Sequence, residues 1–118
     1  MIEVITREEG PFVVREFDYE NMYLKTSYAF IHAQIIPQVV YLHLYMQRFG
    51  ASVFKELCSD LECFKALMKH KKIRWICGSH EINGAEKWEK FLRILGFTWF
   101  TNTVTPEGIP CRFTRLEI

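Results

Sequence analysis

The chain has 118 residues, 49% hydrophobic and 25% charged, with a net charge of +1. That length holds one domain with a modest core and not two, and the near-neutral balance leaves no electrostatic footprint for nucleic acid. No apolar run approaches the roughly 20 residues that span a bilayer, and the early acids of MIEVITREEG leave no apolar signal core, so a reducing cytoplasmic setting is expected.

In chain order, Ile2-Glu3-Val4-Ile5 reads as a short strand and Glu9-Gly10-Pro11 as a turn. Phe12 to Phe17 is expected as a second strand, and Asp18 to Lys25 as a loop or one helical turn. Tyr28 to Gln34 is strand-like, Pro37 breaks it, and Val39 to Met46 is rich in β-branched and aromatic residues. Their short separation predicts an antiparallel hairpin. The clearest helix runs from Ser52 to about His70. Val53, Phe54, Leu57, Cys58, Leu61, Phe64, Leu67 and Met68 recur at three and four as one apolar stripe. Lys55, Glu56, Asp60, Glu62, Lys65 and Lys69 fill the other face, and the basic last turn suits the negative end of the helix dipole.

Ile73 to Cys77 reads as a buried strand. Asn83 with Glu86 three later resembles a capping box. The helix that follows aligns Ala85, Trp88, Phe91, Leu92 and Leu95, and Gly96 ends it. Strands Phe97 to Val104 and Ile109 to Leu116 flank Thr105-Pro106-Glu107-Gly108, a type I turn pattern. Strand, helix, strand requires a parallel pair joined by a crossover, while the last hairpin is antiparallel. The predicted class is α+β: a mixed, mostly antiparallel sheet with one parallel pair and two packed helices. The four cysteines contain no C-x-x-C, so they are expected as small buried apolar residues and not as a zinc or redox site.

The stretch Gln47-Arg48-Phe49-Gly50-Ala51-Ser52 leaves a strand and enters a helix. Unpaired N–H donors and a positive dipole end attract phosphate at such a corner. A glycine corner with a serine cap explains the same residues without a ligand. With Leu95-Gly96-Phe97 at the end of the later helix, the element order resembles the GNAT superfamily of acetyl-CoA-dependent N-acetyltransferases, from about Tyr28 to the end. The superfamily's Q/R-x-x-G-x-G/A signature, which holds the coenzyme A pyrophosphate, is matched at Gln47 and Gly50, with Ser52 replacing the last small residue. The resemblance implies that Gln47, Arg48, Gly50, Ala51 and Ser52 hold acetyl-CoA if the chain is an active enzyme, with Trp75 to Cys77 lining the acetyl cleft.

The superfamily's later helix resembles N-x-x-A-x-x-x-Y-x-x-x-G-F. Counting back from Gly96-Phe97 puts Leu92 at the tyrosine that often serves as general acid, Trp88 at the alanine and Ala85 at the asparagine. A leucine gives no proton, and Tyr28, Tyr41 or Tyr45 could substitute only if the fold delivers one into the cleft. The stretch before Tyr28 is too short for the two helices that build the superfamily's acceptor site. The chain's size, its Phe-Leu-Arg-Ile-Leu-Gly-Phe helix end and its His-Leu-Tyr-Met strand resemble the small GNAT-like head-assembly proteins of short-tailed bacteriophages. That likeness implies a non-enzymatic protein without cofactor. It would contact phage structural proteins (capsid, portal or ejection proteins), in the host cytoplasm during assembly or in the virion, with no membrane and no direct specific nucleic acid ligand.

The remaining candidates each have a plainer reading. His32 and His43 read as bases or as structural histidines. His80 and Glu81, expected in a loop after Cys77, read as cleft groups or solvated ones. Cys77 reads as a nucleophile or as packing. Trp75, Trp88 and Trp99 read as a stacking platform or as core, and Lys69 to Lys72 as a contact patch or a charged helix end. An enzyme predicts an open cleft between the strand ending near Gln47 and the strand at Ile73 to Cys77. An assembly protein predicts that Trp75, Trp88 and Leu92 plug it.

Overall fold

The computed structural model describes residues 1–16 and 19–118. Seven strands form one sheet in the order β1-β2-β3-β4-β5-β7-β6. They are β1 (Glu3–Ile5), β2 (Glu20–Lys25), β3 (Ala29–Ile36), β4 (Val39–Met46), β5 (Trp75–Glu81), β6 (Thr98–Val104) and β7 (Pro110–Glu117). Helix α1 (Ala51–His70) links β4 to β5, and α2 (Glu86–Ile94) links β5 to β6. All pairings are antiparallel except β4 with β5, which is parallel. The α+β expectation, with one parallel pair and two helices, describes this sheet.

The start of the chain differs from the expectation. Phe12 to Glu16 form no strand, and Glu20–Lys25, expected as loop or helical turn, is a strand paired with β3 along its whole length. The parts of those two readings that fall on Phe17 and Asp18 lie outside the described residues. Tertiary pairing overrides weak local propensity here. Between β1 and β2, the described residues hold a single 3-10 turn, Arg7–Glu9. Residues 10–16 then cross the sheet face opposite the helices. Phe12, 8% exposed, is their anchor. Its ring packs against Tyr23 at 4.8 Å, Tyr45 at 5.7 Å and Phe30 at 6.1 Å.

The β3–β4 turn is Pro37-Gln38, with Gln38 at φ 67. Its carbonyl accepts the N–H groups of Arg74 and Trp75 at 2.8 and 3.1 Å, so the hairpin tip fixes where β5 begins. Helix α1 buries Val53, Leu57, Phe64 and Met68 against the sheet, each apolar side chain contributing about 1.5–3 kcal/mol on full burial. Leu67 departs from the predicted stripe and is 39% exposed. Asp60, expected on the polar face, is buried and accepts the Tyr28 hydroxyl at 2.9 Å. None of the cysteines is fully buried, and Cys63 is exposed.

The predicted Asn83–Glu86 capping box does not form. Helix α2 starts at Glu86 behind Ala85, with no side-chain cap. Its face is as predicted, with Phe91 and Leu92 buried. Both helices end in a Schellman motif. In α2, Phe97 N–H reaches Leu92 O at 3.0 Å and Gly96 N–H reaches Arg93 O at 3.0 Å, with Gly96 at φ +99. In α1, Ile73 N–H reaches Met68 O at 2.9 Å and Lys72 N–H reaches Lys69 O at 3.0 Å. There Lys72 takes the left-handed position, at φ 62.

Candidate functional site

Strands β4 and β5 pair over only three residues: Val39 with Trp75, Val40 with Ile76, and Tyr41 with Cys77. Beyond Tyr41 the strands splay. Adjacent parallel strands that part in this way leave a V, and here the V is an open cleft of about 450 Å³, within the range of about 300–1,000 Å³ typical of small-molecule sites. Its walls come from both sides of the sheet. Strand alternation places Leu42, Leu44 and Met46 toward the helices and His43 and Tyr45 toward the opposite face. All five line the cleft, so it passes through the sheet. Cys77, Gly78, Ser79 and His80 form the β5 wall.

Trp88 and Leu92 line this cleft without filling it, and Trp75 is not among its lining residues. The expected plug is therefore not formed. Trp75 packs instead against the guanidinium groups of Arg74 and Arg115, at 5.2 and 4.4 Å from its ring centroid. The strand arm that lines the cleft is Cys77 to His80, which shares only Cys77 with the predicted Trp75 to Cys77.

The face away from the helices carries the polar groups. Gln34 Nε2 donates to Arg15 O at 3.1 Å. Its Oε1 is therefore the acceptor that lies 2.8 Å from His43 Nε2, so His43 carries its proton on Nε2 and Nδ1 is left as an acceptor. Burial, and to a lesser degree the neighbouring His32, holds the His43 imidazole below its usual range. Tyr45 accepts the Val13 N–H at 3.3 Å, and Val13 and Val14 wall the cleft on this side. Tyr41 donates to Ser79 Oγ at 2.6 Å across the base of the splay, and burial pushes the phenol up. Burial also pushes up the Cys77 thiol, which disfavours a thiolate nucleophile.

On the helix side His80, predicted in a loop, lies within β5 together with Glu81. His80 Nε2 is 3.3 Å from Glu89 Oε2, and the same carboxylate accepts Arg112. Burial alone would push the Glu89 carboxyl up, but the hydrogen bonds from His80 and Arg112 outweigh it and hold it below the usual range. Arg112 and Arg93 also sit over the Trp99 ring, at 5.7 and 5.1 Å. Sequence reading missed Glu89, Arg112 and Thr114. Thr114 lines the cleft, and Glu89 and Arg112 meet beside His80; only long-range pairing brings these residues there.

The β4–α1 corner places the predicted coenzyme A residues together at the rim. Gly50 is the N-cap of α1, at φ 156 and ψ −178, a backbone region open essentially to glycine alone. A serine cap is absent: no side chain caps the helix, and its first turn holds no acid. The amide groups at Ala51 and Ser52 begin an uncapped 20-residue helix. Gln47 Nε2 donates to Tyr45 O at 3.2 Å. Arg48 is exposed but not free: Nε and a terminal nitrogen donate to Ser27 O and Oγ at 3.0 and 3.1 Å. Phe49 leans from the corner onto α2, 5.2 Å from the Phe91 ring and 6.3 Å from Trp88. At the position where the resemblance implies a tyrosine, Leu92 presents methyl groups to the cleft.

Among the described residues, no group of three or more His, Cys, Asp or Glu side chains is arranged to hold a metal ion, and no helix is long and apolar enough to cross a membrane.

No protein-family model matches the sequence, and no curated protein is similar to it. Solved structures do match. An IAA acetyltransferase from Bacillus cereus superposes with a TM-score of 0.70 at 12% identity, over 100% of this chain and 99% of that one. The ribosomal-protein-S18-alanine N-acetyltransferase from Escherichia coli gives 0.63 at 14% identity, over 100% and 93%. A GNAT-family acetyltransferase from Bacillus anthracis gives 0.60 at 10% identity, over 82% and 65%. The likeness at these identities is one of fold, and the fold is GNAT-like.

Proposed function

We propose that this chain, built on a GNAT-like fold, works through protein contacts and without acetyl transfer, in head assembly or DNA delivery of a tailed bacteriophage. The observation that supports loss of transfer is Leu92. A leaving thiolate in the splay would face its methyl groups where the resemblance implies a tyrosine. The corner supports the same reading, since Arg48 is committed to Ser27 and Phe49 bridges to α2. The outer strand β6 supports a contact role. It pairs only with β7, carries no charged residue and exposes Phe100 at 45% and Val104 at 62%; natural sheets guard such edges when they are not used. The phage setting rests on the sequence resemblance alone. Its partners would be capsid, portal or ejection proteins.

The open cleft favours a second reading, an active acetyl-CoA-dependent N-acetyltransferase. Gln47, Arg48, Gly50, Ala51 and Ser52 would then hold the pyrophosphate. A thermal titration with acetyl-CoA and free coenzyme A separates the two. The first reading expects no saturable shift, together with recovery of the chain in purified phage particles. A saturable rise, about 2.7 kcal/mol at 100 times the dissociation constant, that vanishes in a folded Gly50→Val variant would favour the enzyme instead and call for an assay of acetyl transfer to amines.

A further inference from the structure

The sheet ends in two edges of different kinds. β1 is three residues long and carries Glu3, and a short, charged edge discourages further pairing. β6 is seven residues long, carries no charge and pairs only with β7, so its outer row of N–H and C=O groups is open to another strand. Guanidinium groups flank it on both faces of the sheet. On the helix face, Arg93 of α2 lies 5.1 Å from the Trp99 ring centroid. On the opposite face, Arg115 lies 4.4 Å from the Trp75 centroid and 5.2 Å from that of Phe100. Both arginines are exposed, and neither side chain makes an ion pair or hydrogen bond among the described residues. Their neighbours are matched, Arg74 by Glu117 and Arg112 by Glu89. The rings hold each planar fork in place without neutralising it, which suits it to a carboxylate.

We propose that β6 is the docking edge for an extended acidic segment of a partner protein, which adds to the sheet as a further strand. The proposal rests on the protein-contact reading and names the partner's chemistry. Register fixes where the acids fall. Thr98 pairs with Arg115, and Trp99 lies under Arg93, so both guanidinium groups serve the first residues of β6. Successive residues of a strand point to opposite faces, so two adjacent acids on the added strand reach one arginine each. The far end of β6 asks for apolar residues: Val104 is 62% exposed, and Glu107 in the turn beyond it repels an acid. A second copy of this chain fits less well. Its own β6 carries no acid, so pairing edge to edge would leave the guanidinium groups unmatched.

The test uses the whole chain and a dye-labelled, C-terminally amidated peptide, Val-Thr-Val-Thr-Asp-Glu, beside its Asn-Gln counterpart. Antiparallel pairing brings the acids to the Thr98 end. By fluorescence anisotropy the acidic peptide should bind saturably, and the Asn-Gln peptide about tenfold more weakly. Arg93→Gln combined with Arg115→Gln should cost the acidic peptide about the same factor and leave the Asn-Gln peptide unchanged. If that double variant does not fold, Arg115→Lys, which keeps the charge and loses the planar fork, should still weaken the acidic peptide. Amide exchange in β6 should slow on binding, with α1 unaffected. Equal affinity for the two peptides, undiminished binding in the arginine variants, protection away from β6, or no binding would overturn the proposal. So would a concentration-dependent dimer that slows the same β6 amides without peptide, which would assign the edge to a second copy. Each of those outcomes leaves the protein-contact reading standing, because that reading is decided by coenzyme A binding and by recovery in particles.

Discussion

The imidazoles of His32 and His43 lie opposite each other in the β3–β4 register, their centroids 5.5 Å apart. His32 is fully buried; its Nε2 pairs with Asn21 Oδ1 at 2.9 Å while its Nδ1 has no partner among the described residues. Burial, then the charge of Arg7, holds His32 below its usual range, and burial does the same for His43. The groups around this pair are Arg7, Glu16, Tyr23, Tyr41 and Tyr45. The unfolded chain takes up protons near pH 6.5 where the folded one does not. Stability is therefore complete above about pH 7.5 and falls as pH drops through 6.5, by up to about 1.4 kcal/mol per pH unit for each histidine. Urea unfolding at pH 7.5 and 5.5 should show this loss, and His32→Gln with His43→Gln should shrink it. Equal stability at the two pH values would refute the assignment.

Lys72 occupies the left-handed position that Gly96 occupies in the other helix. Lys72→Gly removes the side-chain cost of that conformation but adds backbone entropy to the unfolded chain. The expected net is stabilisation of up to about 1 kcal/mol, read as a higher urea midpoint with an unchanged slope. A lower midpoint would mean that the lysine side chain contributes more than its backbone costs.

Two glycines should fail for different reasons. At Gly50 an added Cβ meets nothing within 4 Å, so Gly50→Ala and Gly50→Val should both cost only the backbone term, about 1–3 kcal/mol. At Gly10 a Cβ would stand 2.3 Å from the Phe12 ring. Gly10→Ala should therefore unseat residues 10–16 from the sheet, seen as faster amide exchange there with α1 unaffected. Uniform exchange across the chain would show that this segment is not anchored by Phe12.

Arg112→Ala leaves the Glu89 carboxylate, 13% exposed, with only His80. The expected loss is about 2–3 kcal/mol, since removing one partner strands the other. Glu89→Gln on top of Arg112→Ala should recover part of it. A double variant less stable than Arg112→Ala would show that the carboxylate is held by something other than charge pairing.

The sequence by itself determined the parts whose physics is local. The 3.6-residue spacing of Val53, Leu57, Phe64 and Met68 made α1. The Trp88, Phe91, Leu92 and Leu95 face made α2. The Pro37 and Pro106-Gly108 turns placed the hairpins. Counting back from Gly96-Phe97 was enough to put Leu92 where the resemblance implies a tyrosine. Only the tertiary structure decided the cleft. Its shape comes from β4 and β5 parting after Tyr41 and Cys77, and nothing within either strand encodes where a parallel neighbour leaves. Glu20–Lys25 became a strand because β3 offered an unpaired edge, and Asp60 turned inward because Tyr28 was there to donate to it. The meetings of Glu89 with Arg112 and of Phe12 with Tyr23 are contacts between distant residues, made by how the sheet and its helices pack and not by any periodicity in the chain.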